Sequence, residues 1–257
     1  MQIHKEKLFH LGFDPSRIQA EFAILPGDPG RVEAIARRLE DPCFLAENRE
    51  FTIWSATTGG RRVLICSTGI GGPSAAIAME ELFIAGVRTF IRVGTCGAMQ
   101  LDMMGGDLVV ATAAVRHEGT SLHYAPVEYP AAADFQVTSA LVKAARASGK
   151  RVHVGVVHAK DSFYGQHDPG RMPVAKELQE KWEAFRRLGV LASEMESAAM
   201  FTAAAALGAR AGCILHVIWN QERAAAGLDN PRVEDVSAAV DAAARAVTLL
   251  AEEEEKQ

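Results

Sequence analysis

The sequence predicts an α/β fold in which helices cover both faces of a central β-sheet. Short β-rich runs alternate with longer helical patterns along the chain, and most of the β-rich runs are continuously apolar. Loops that contain glycine follow several of these runs. Neither an internal repeat nor a Pro/Gly/Ser-rich linker marks a boundary, so we expect a single domain over residues 1–257.

The individual elements follow from composition and periodicity. The predicted strands cover residues 22–25, 63–66, 89–93, 108–111, 152–157 and 214–219. The predicted helices cover residues 31–39, 74–85, 137–147, 175–187, 196–207 and 237–251. Continuously apolar strands are typical of sheets that are buried on both sides, because there no face alternates with solvent. The C-terminal AEEEEKQ is interpreted as a solvated helix end.

Composition and charge argue against two classes of partner. The chain is 49% hydrophobic and 23% charged, which is ordinary for a globular protein. Its formal net charge is −5 and it has no basic stripe, so we expect no nucleic-acid partner. The most apolar stretch, residues 198–219, is interrupted by Gly208, Arg210, Gly212 and His216, so we expect no membrane span.

The cysteines and the N-terminal sequence bear on the cellular compartment. Cys43, Cys66, Cys96 and Cys213 are scattered and form no CxxC pair, which argues against zinc ligation and a disulfide framework. The first residues, MQIHKEKLFHLG, lack the apolar core and cleavage site of a secretory signal. We therefore expect a cytoplasmic protein.

Two glycine-rich loops lead from a predicted strand into a predicted helix. In LPGDPGR, Gly27 lets backbone N–H groups approach a ligand and Arg31 lies at the helix start, which together favour an anion. The alternative is an ordinary strand–glycine–helix turn, which occurs throughout α/β proteins. The second loop, STGIGGPS, has neither the GxGxxG spacing of dinucleotide folds nor the GK[ST] ending of a P-loop.

A third loop, RVGTCGA, places Arg92 near the end of an apolar strand. An unpaired buried charge is costly, so Arg92 needs an anionic partner, either a ligand or a structural Asp or Glu. The sequence supplies no base for Cys96, which we interpret as a small residue in a tight loop rather than a nucleophile. The GxSxG and HExxH motifs are absent from the sequence.

Five motifs, in order and at matching spacing, carry a family resemblance. They are LPGDPGR, NREFTIW, STGIGGPSAAIAMEEL, FIRVGTCGA and SEMESAAM. In these motifs, and from Phe9 to about Asn220, the chain resembles the uridine phosphorylases of the nucleoside phosphorylase-I family. The resemblance implies one α/β domain around a central mixed, partly barrel-like sheet. It also implies phosphorolysis of uridine or deoxyuridine in pyrimidine salvage, and a homohexamer, a trimer of dimers, with active sites shared between subunits.

The resemblance also implies residue roles, of which Arg31, Arg92 and Glu196 would be catalytic. The phosphate site would comprise Gly27, Arg31, Arg49, Arg92 and Thr95, with Arg49 from the neighbouring subunit. The ribose site would comprise His10 of the neighbour, Met195 and Glu196. Guanidinium groups suit phosphate oxygens, and the Glu196 carboxylate can accept hydrogen bonds from both ribose hydroxyls. A helix N-terminal charge is the alternative for Glu196.

The same resemblance implies the base pocket and the ions. The base site would comprise Gly97, Phe163, Gln166 and Arg223. Inorganic phosphate would be the co-substrate and no organic cofactor would be needed. A potassium ion at the dimer interface would be held by Glu50, Ile70 and Ser74.

The base pocket departs from the family pattern. The family has an arginine two residues after Gln166, where this chain has Asp168, and Gln221 replaces a second arginine. Arg171 or Arg223 is the candidate replacement. A carboxylate would repel a developing uracil anion, so we expect Asp168 to point away from the base or to pair with an arginine.

Three other functions stay open. Purine or broad-specificity phosphorolysis is the first, but the purine enzymes place an Asp near Asn220, and Asn cannot donate a catalytic proton. A hydrolytic nucleosidase would not need the predicted anion site. A non-catalytic nucleoside-binding protein is the third, because a fold does not fix function, and phosphate-dependent turnover distinguishes it from an enzyme.

Overall fold

One mixed ten-stranded β-sheet organises residues 7–255, the part of the chain that the computed structural model describes. The strands are β1 (Phe22–Pro26), β2 (Glu40–Asn48), β3 (Phe51–Thr58), β4 (Arg61–Cys66), β5 (Thr89–Ala98), β6 (Leu108–His117), β7 (Ala131–Ala132), β8 (Val152–Lys160), β9 (Ala192–Glu194) and β10 (Arg210–Asn220). The helices are α1 (Val32–Ala36), α2 (Gly72–Ile84), α3 (Ser121–Tyr124), α4 (Phe135–Arg146), α5 (Phe163–His167), α6 (Ala175–Arg187), α7 (Ser197–Leu207), α8 (Gln221–Ala225) and α9 (Ser237–Glu254).

Part of this sheet closes on itself. The strand order is β10-β6-β8-β9-β5-β1-β4-β3-β2, and β10 also pairs with β5, which gives a closed ring of five strands. The closing pair is parallel and runs from Arg210 opposite Thr89 to Asn220 opposite Ala98. Antiparallel pairs, β10–β6 and β5–β9, lie in the same ring, so the sheet is mixed. The predicted single α/β domain with a mixed, partly barrel-like sheet is confirmed.

Helices cover both faces of the sheet, as the apolar strands predict. Successive residues of a strand point to opposite faces. In β1, Ala23 and Leu25 belong to the core that includes α2 and α7, whereas Phe22 and Ile24 belong to the core that includes α4 and α9. None of the helices within residues 7–255 is long and apolar enough to cross a membrane.

The predicted elements are present with shifted ends. The helix predicted over 31–39 is only α1, because Pro29–Arg31 form a 3-10 turn and the chain enters β2 at Glu40. The sequence analysis missed β2, an edge strand with mostly exposed residues and hence no apolar run, and its partner β3. It also missed β9, which has three residues.

The topology brings the glycine loops to one edge of the sheet. Strands β4, β1, β5 and β10 are neighbours that run parallel to one another. Their carboxyl ends therefore lie together, and the loops after β1 and β4 meet the last residues of β5 and β10. This is the edge at which α/β sheets bind ligands.

Candidate active site

A cleft of about 950 Å³ lies at this edge, and we call it the main cleft. Most of the residues predicted for phosphate, ribose and base contribute to its wall: Gly27, Arg31, Arg92, Thr95, Gly97, Phe163, Met195 and Glu196. The three residues predicted for a cation also line it: Glu50, Ile70 and Ser74. Motifs that are far apart in the sequence thus converge on one cavity.

The loop after β1 forms one wall of the main cleft. Asp28 begins the 3-10 turn, and its Oδ1 accepts a hydrogen bond of 2.8 Å from the Gly30 backbone N–H. Arg31 at the end of the turn has a half-exposed side chain, 3.7 Å from Asp28 Oδ2. A Cβ on Gly27 would lie 3.2 Å from the Gly69 carbonyl oxygen, so glycine lets the two loops approach closely.

Arg92 lies at the centre of the site and is 4% exposed. Its Nε donates to Glu194 Oε2 at 3.1 Å and its Nη2 donates to Glu196 Oε2. Burial alone would lower the pKa of Arg92, but the carboxylates of Glu196 and Glu194 raise it, so the guanidinium stays charged. Nη1 has no hydrogen-bond partner within residues 7–255. A Cβ on Gly94 would lie 2.8 Å from Nη2, so only glycine leaves room for this guanidinium.

The two glutamates beside Arg92 have different roles. Glu194 accepts hydrogen bonds from the backbone N–H of Glu196 and from the backbone and hydroxyl of Ser197, so it caps α7. Glu196 instead accepts from the Gly71 backbone N–H at 2.6 Å, and burial is the main reason that its pKa is raised. Glu194 thus makes the side-chain hydrogen bonds at the start of α7, whereas Glu196, which precedes the helix, lines the main cleft.

Lys160 is a buried cation that the sequence analysis missed. It is 6% exposed, and its Nζ donates to Ser193 Oγ at 3.0 Å and to the Glu194 carbonyl at 3.3 Å. Burial lowers the pKa of Lys160 to about 8, partly offset by the charges of Glu194 and Glu196. The predicted strand ended at residue 157, whereas β8 continues to Lys160 and carries it into the site.

A second cavity of about 550 Å³ adjoins the main cleft, and we call it the side cavity. Lys160 lines both cavities. Gln166 lines the side cavity, where its Oε1 accepts from Ser193 Oγ at 2.8 Å and its Nε2 donates to Gln221 Oε1 at 3.2 Å. The residue predicted to read the base therefore lines the side cavity and not the main cleft, and it contacts Ser193, which lines the main cleft.

Arg171 and Arg223, the two candidate replacements for the missing arginines, have different partners in the structure. Asp168 Oδ2 lies 3.2 Å from Arg171 Nε, and both side chains are more than half exposed, which confirms the expected pairing. Arg223 donates from Nη1 to the Leu101 carbonyl and from Nε to the Asp229 carbonyl, both at 2.6 Å. Arg223 thus binds backbone oxygens in this structure and lines neither cavity, and its predicted contact with the base stays a prediction.

His10 and Arg49 are not among the residues that line the main cleft of their own chain. His10 Nδ1 lies 2.7 Å from Glu81 Oε1, and the His10 carbonyl accepts from Asn48 Nδ2 at 2.7 Å. Arg49 occupies the turn between β2 and β3 with a positive φ of 56°. One chain by itself therefore does not bring these two side chains to the site.

The remaining candidates have simple local explanations. Ser74 Oγ donates to Glu50 Oε1 at 2.8 Å, while Ile70 is 79% exposed. Hydrogen bonds from its own backbone N–H and from Ser74 lower the pKa of Glu50, so its carboxylate is ionised. Burial raises the pKa of the Cys96 thiol, which agrees with a space-filling role rather than a nucleophilic one. The whole arrangement defines an α/β protein whose main cleft brings cationic and carboxylate side chains together.

Comparisons with known proteins identify the family. A model described as the phosphorylase superfamily matches residues 21–253. The uridine phosphorylase of Treponema pallidum is 49% identical over 242 residues, which cover 94% of this chain and 93% of that protein. The uridine phosphorylase of Escherichia coli is 48% identical over 221 residues, 84% of this chain and 87% of that protein. A guanosine phosphorylase of Halorubrum lacusprofundi is 48% identical over 200 residues, 78% of each chain. The chain belongs to the phosphorylase superfamily.

The geometry of the main cleft predicts that Arg31 binds phosphate directly. Arg31→Ala should weaken phosphate binding by about tenfold to a hundredfold, because a hydrogen bond to a charged group contributes about 1.5–3 kcal/mol. Isothermal titration calorimetry with inorganic phosphate measures the change. Arg37→Ala is the matched control, because Arg37 is exposed and pairs with Glu33 on the outside of the protein. Equal phosphate affinity in wild type and Arg31→Ala would contradict the assignment.

Proposed function

We propose that the protein is a nucleoside phosphorylase that cleaves uridine, and deoxyuridine, with inorganic phosphate to give uracil and ribose 1-phosphate or its deoxy analogue. One observation carries the proposal: the Gly27 loop, Arg92, Glu196 and the buried Lys160 share the main cleft. The same cleft thus offers donors for an anion, acceptors for sugar hydroxyls and a cation for a departing base. The similarity to uridine phosphorylases from two bacteria supports the choice of substrate.

Phosphate is proposed to bind between the β1 loop and β5. Arg31, Arg92 and Thr95 offer donors, and the Gly27 backbone lies in the same wall. Among residues 7–255 the Nη1 of Arg92 has no hydrogen-bond partner, which leaves it for a ligand. Guanidinium groups match phosphate oxygens in geometry and stay charged at all working pH values. The phosphate charge offsets the positive charge that accumulates on the sugar as the glycosidic bond breaks.

The ribose is proposed to bind at Glu196 and Met195. Each oxygen of the Glu196 carboxylate already accepts one hydrogen bond, from Gly71 and from Arg92. A carboxylate oxygen can accept more than one hydrogen bond, so both keep capacity for the 2′- and 3′-hydroxyls. This arrangement holds C1′ between the phosphate and the base.

The base is proposed to lie between Phe163 and the junction of the two cavities. When the C1′–N1 bond breaks, its electron pair stays on the base, and a phosphate oxygen forms the new bond to C1′. The Lys160 ammonium in the cleft stabilises the resulting negative charge, which is the role of preorganised electrostatics in catalysis. Lys160 thereby supplies the positive charge that Asp168 and Gln221 cannot.

The proposal extends to the assembly, the ion and the compartment. A homohexamer built as a trimer of dimers would bring the partner's His10 to the ribose and the partner's Arg49 to the phosphate. Potassium would bind at the same interface through oxygens of Glu50, Ile70 and Ser74, and the hydrogen bond between Ser74 and the ionised Glu50 places two suitable oxygen donors together. We place the enzyme in the cytoplasm, in pyrimidine salvage.

Purine phosphorolysis is the second candidate, supported by the similarity to a guanosine phosphorylase. Asn220 is fully buried, its Nδ2 donates to the carbonyls of Gln100 and Met103, and its Oδ1 accepts from two backbone N–H groups at the start of α8. Its amide is committed to the backbone, so it takes no part in base recognition. Discrimination between bases therefore rests on Gln166 and Lys160.

A substrate panel tests the proposed function. Uridine, deoxyuridine, thymidine, cytidine, inosine and adenosine are incubated with and without phosphate, and base release is measured. We expect uridine and deoxyuridine to be cleaved fastest, and only when phosphate is present. Faster cleavage of inosine would favour the purine alternative, and cleavage that does not depend on phosphate would overturn phosphorolysis.

Lys160 should give uridine cleavage a characteristic pH dependence. Because its pKa is lowered to about 8, its charge is present below that pH and is lost as the pH rises through it. We expect kcat/KM for uridine to fall above about pH 8, and Lys160→Met to lower it about a hundredfold and abolish that decline. The exposed Lys176→Met is the control and should keep the wild-type profile. The same alkaline decline in Lys160→Met would contradict the role of Lys160.

Sharing of the site between subunits is tested by mixing two inactive variants. Arg49→Ala and Glu196→Ala each remove one contribution to the proposed site. A hybrid dimer contains one site with both residues intact, so mixed subunits should regain part of the wild-type rate. Subunit exchange is verified separately with differently labelled chains. Absence of recovered activity after proven exchange would show that Arg49 does not act across an interface.

A further inference from the structure

A chain of hydrogen bonds links His117 to Gln166 beside the side cavity, which both residues line. His117 Nδ1 lies 3.0 Å from His158 Nε2, and His158 Nδ1 lies 3.1 Å from Ser193 Oγ. Ser193 Oγ in turn donates to Gln166 Oε1 at 2.8 Å. His158 and Ser193 are 4% and 3% exposed, so water does not substitute for these contacts. The chain therefore connects His117 with Gln166, the residue proposed to read the base.

With the Gln166 oxygen facing Ser193, the single hydroxyl hydrogen of Ser193 sets the direction of the other bonds. A serine hydroxyl has one hydrogen and can accept two hydrogen bonds. Its hydrogen goes to Gln166 Oε1, and one acceptor position is taken by the Lys160 ammonium. His158 must then donate from Nδ1 to the other position, and its Nε2 must accept from His117. Burial is the main cause that lowers the pKa of His158 to about 3, so the ring is neutral and has a single N–H, which these hydrogen bonds place on Nδ1.

The hydrogen bonds that Gln166 makes to Ser193 and Gln221 determine which of its donors and acceptors remain for a base. Oε1 has one acceptor position used by Ser193, and Nε2 has one hydrogen used by Gln221. One acceptor position and one hydrogen remain on the amide. Uracil matches this pair, because its imide edge places N3–H beside a carbonyl. Cytosine has the reverse pattern, since it carries a bare N3 beside an amino group.

Reading cytosine would require the Gln166 amide to turn over. Its N–H would then face Ser193, whose two acceptor positions are already occupied by Lys160 and His158. His158 would have to change tautomer, so that its Nδ1 accepts from Ser193 and its Nε2–H faces His117, and His117 would have to change tautomer with it. All members of the chain must therefore change together, because a partial change leaves a buried donor facing a donor or an acceptor facing an acceptor, which is costly.

We propose that His117, His158 and Ser193 are positioning residues that fix the orientation of the Gln166 amide and thereby select an imide base, uracil or thymine, over cytosine. This inference deepens the proposed function and rests on it, because it assumes that Gln166 contacts the base. None of the three side chains needs to touch the substrate. Their effect is on which base is read, and the phosphate site is left unchanged.

The test measures the inhibition constants of free uracil and free cytosine against uridine phosphorolysis. His158→Leu removes the donor to Ser193, and we expect it to lower the preference for uracil over cytosine by about tenfold, the value of one hydrogen bond. The KM for phosphate should stay within about twofold. His158→Asn should recover most of the preference, because its amide N–H can occupy the position of Nδ1 and donate to Ser193.

Two further variants separate positioning from stability. Phe185→Leu is the matched control, because Phe185 packs on the rings of His117 and His158 at centroid distances of 6.0 Å and 5.0 Å but takes no part in the hydrogen-bond chain. It should keep the wild-type preference. If His158→Leu does not fold, His117→Phe keeps a stacked ring, removes the outer donor and should lower the preference in the same direction.

The outcomes are distinguishable. A folded His158→Leu protein with the wild-type preference would overturn the inference, as would an equal loss in Phe185→Leu or no recovery in His158→Asn. Failure of the proposed function would appear as wild-type protein that does not cleave uridine with phosphate. In that case calorimetric binding of uracil and cytosine to the same variants tests the hydrogen-bond chain directly, and absence of any preference in the wild type would overturn it.

Discussion

The buried charge cluster of Arg92, Glu194 and Glu196 is the constraint on which the rest of the site depends. Arg92 comes from β5, Glu194 ends β9, and Glu196 precedes α7. Charges that leave water need partners, and removal of one member of such a cluster costs about 3–5 kcal/mol. The cluster therefore joins neighbouring strands of the closed ring while it positions the groups proposed to bind phosphate and ribose. In this molecule the contacts that stabilise the fold are also the contacts that position the groups proposed to bind the ligands.

The two cavities differ in the kind of groups that they present. The main cleft contains the charged groups that a phosphate and a sugar require, whereas the side cavity contains the neutral network around Gln166. Lys160 and Ser193 link them, because the Lys160 ammonium donates to the hydroxyl that orients the Gln166 amide. In the proposed mechanism the phosphate contacts and the choice of base therefore depend on adjacent groups, and Lys160 belongs to both. Under this proposal the phosphate contacts can be kept while the base pocket departs from the family pattern.

The sequence predicted those parts of the site that local patterns encode. The glycine loops and the need of Arg92 for anionic partners were both visible in short segments, and the structure supplies such partners in Glu194 and Glu196. Lys160 was missed because the predicted strand ended three residues too early, although an ionisable residue after an apolar run was the same signal that drew attention to Arg92. The side chain of Arg223 could not be placed, because its partners, the carbonyls of Leu101 and Asp229, depend on how distant loops meet. Contacts such as that between His158 and Ser193 join residues that no periodicity relates.

The burial of the Cys96 thiol has a consequence for chemical labelling. Cys66 and Cys213 are buried in the same way, and burial raises the pKa of all three thiols, so they stay protonated and shielded. Cys43 on the edge strand β2 is the exposed cysteine of the four. An alkylating reagent therefore reaches one sulfur in the native chain and three more once the core opens. The number of modified cysteines, measured by mass spectrometry, therefore reports whether the core has unfolded.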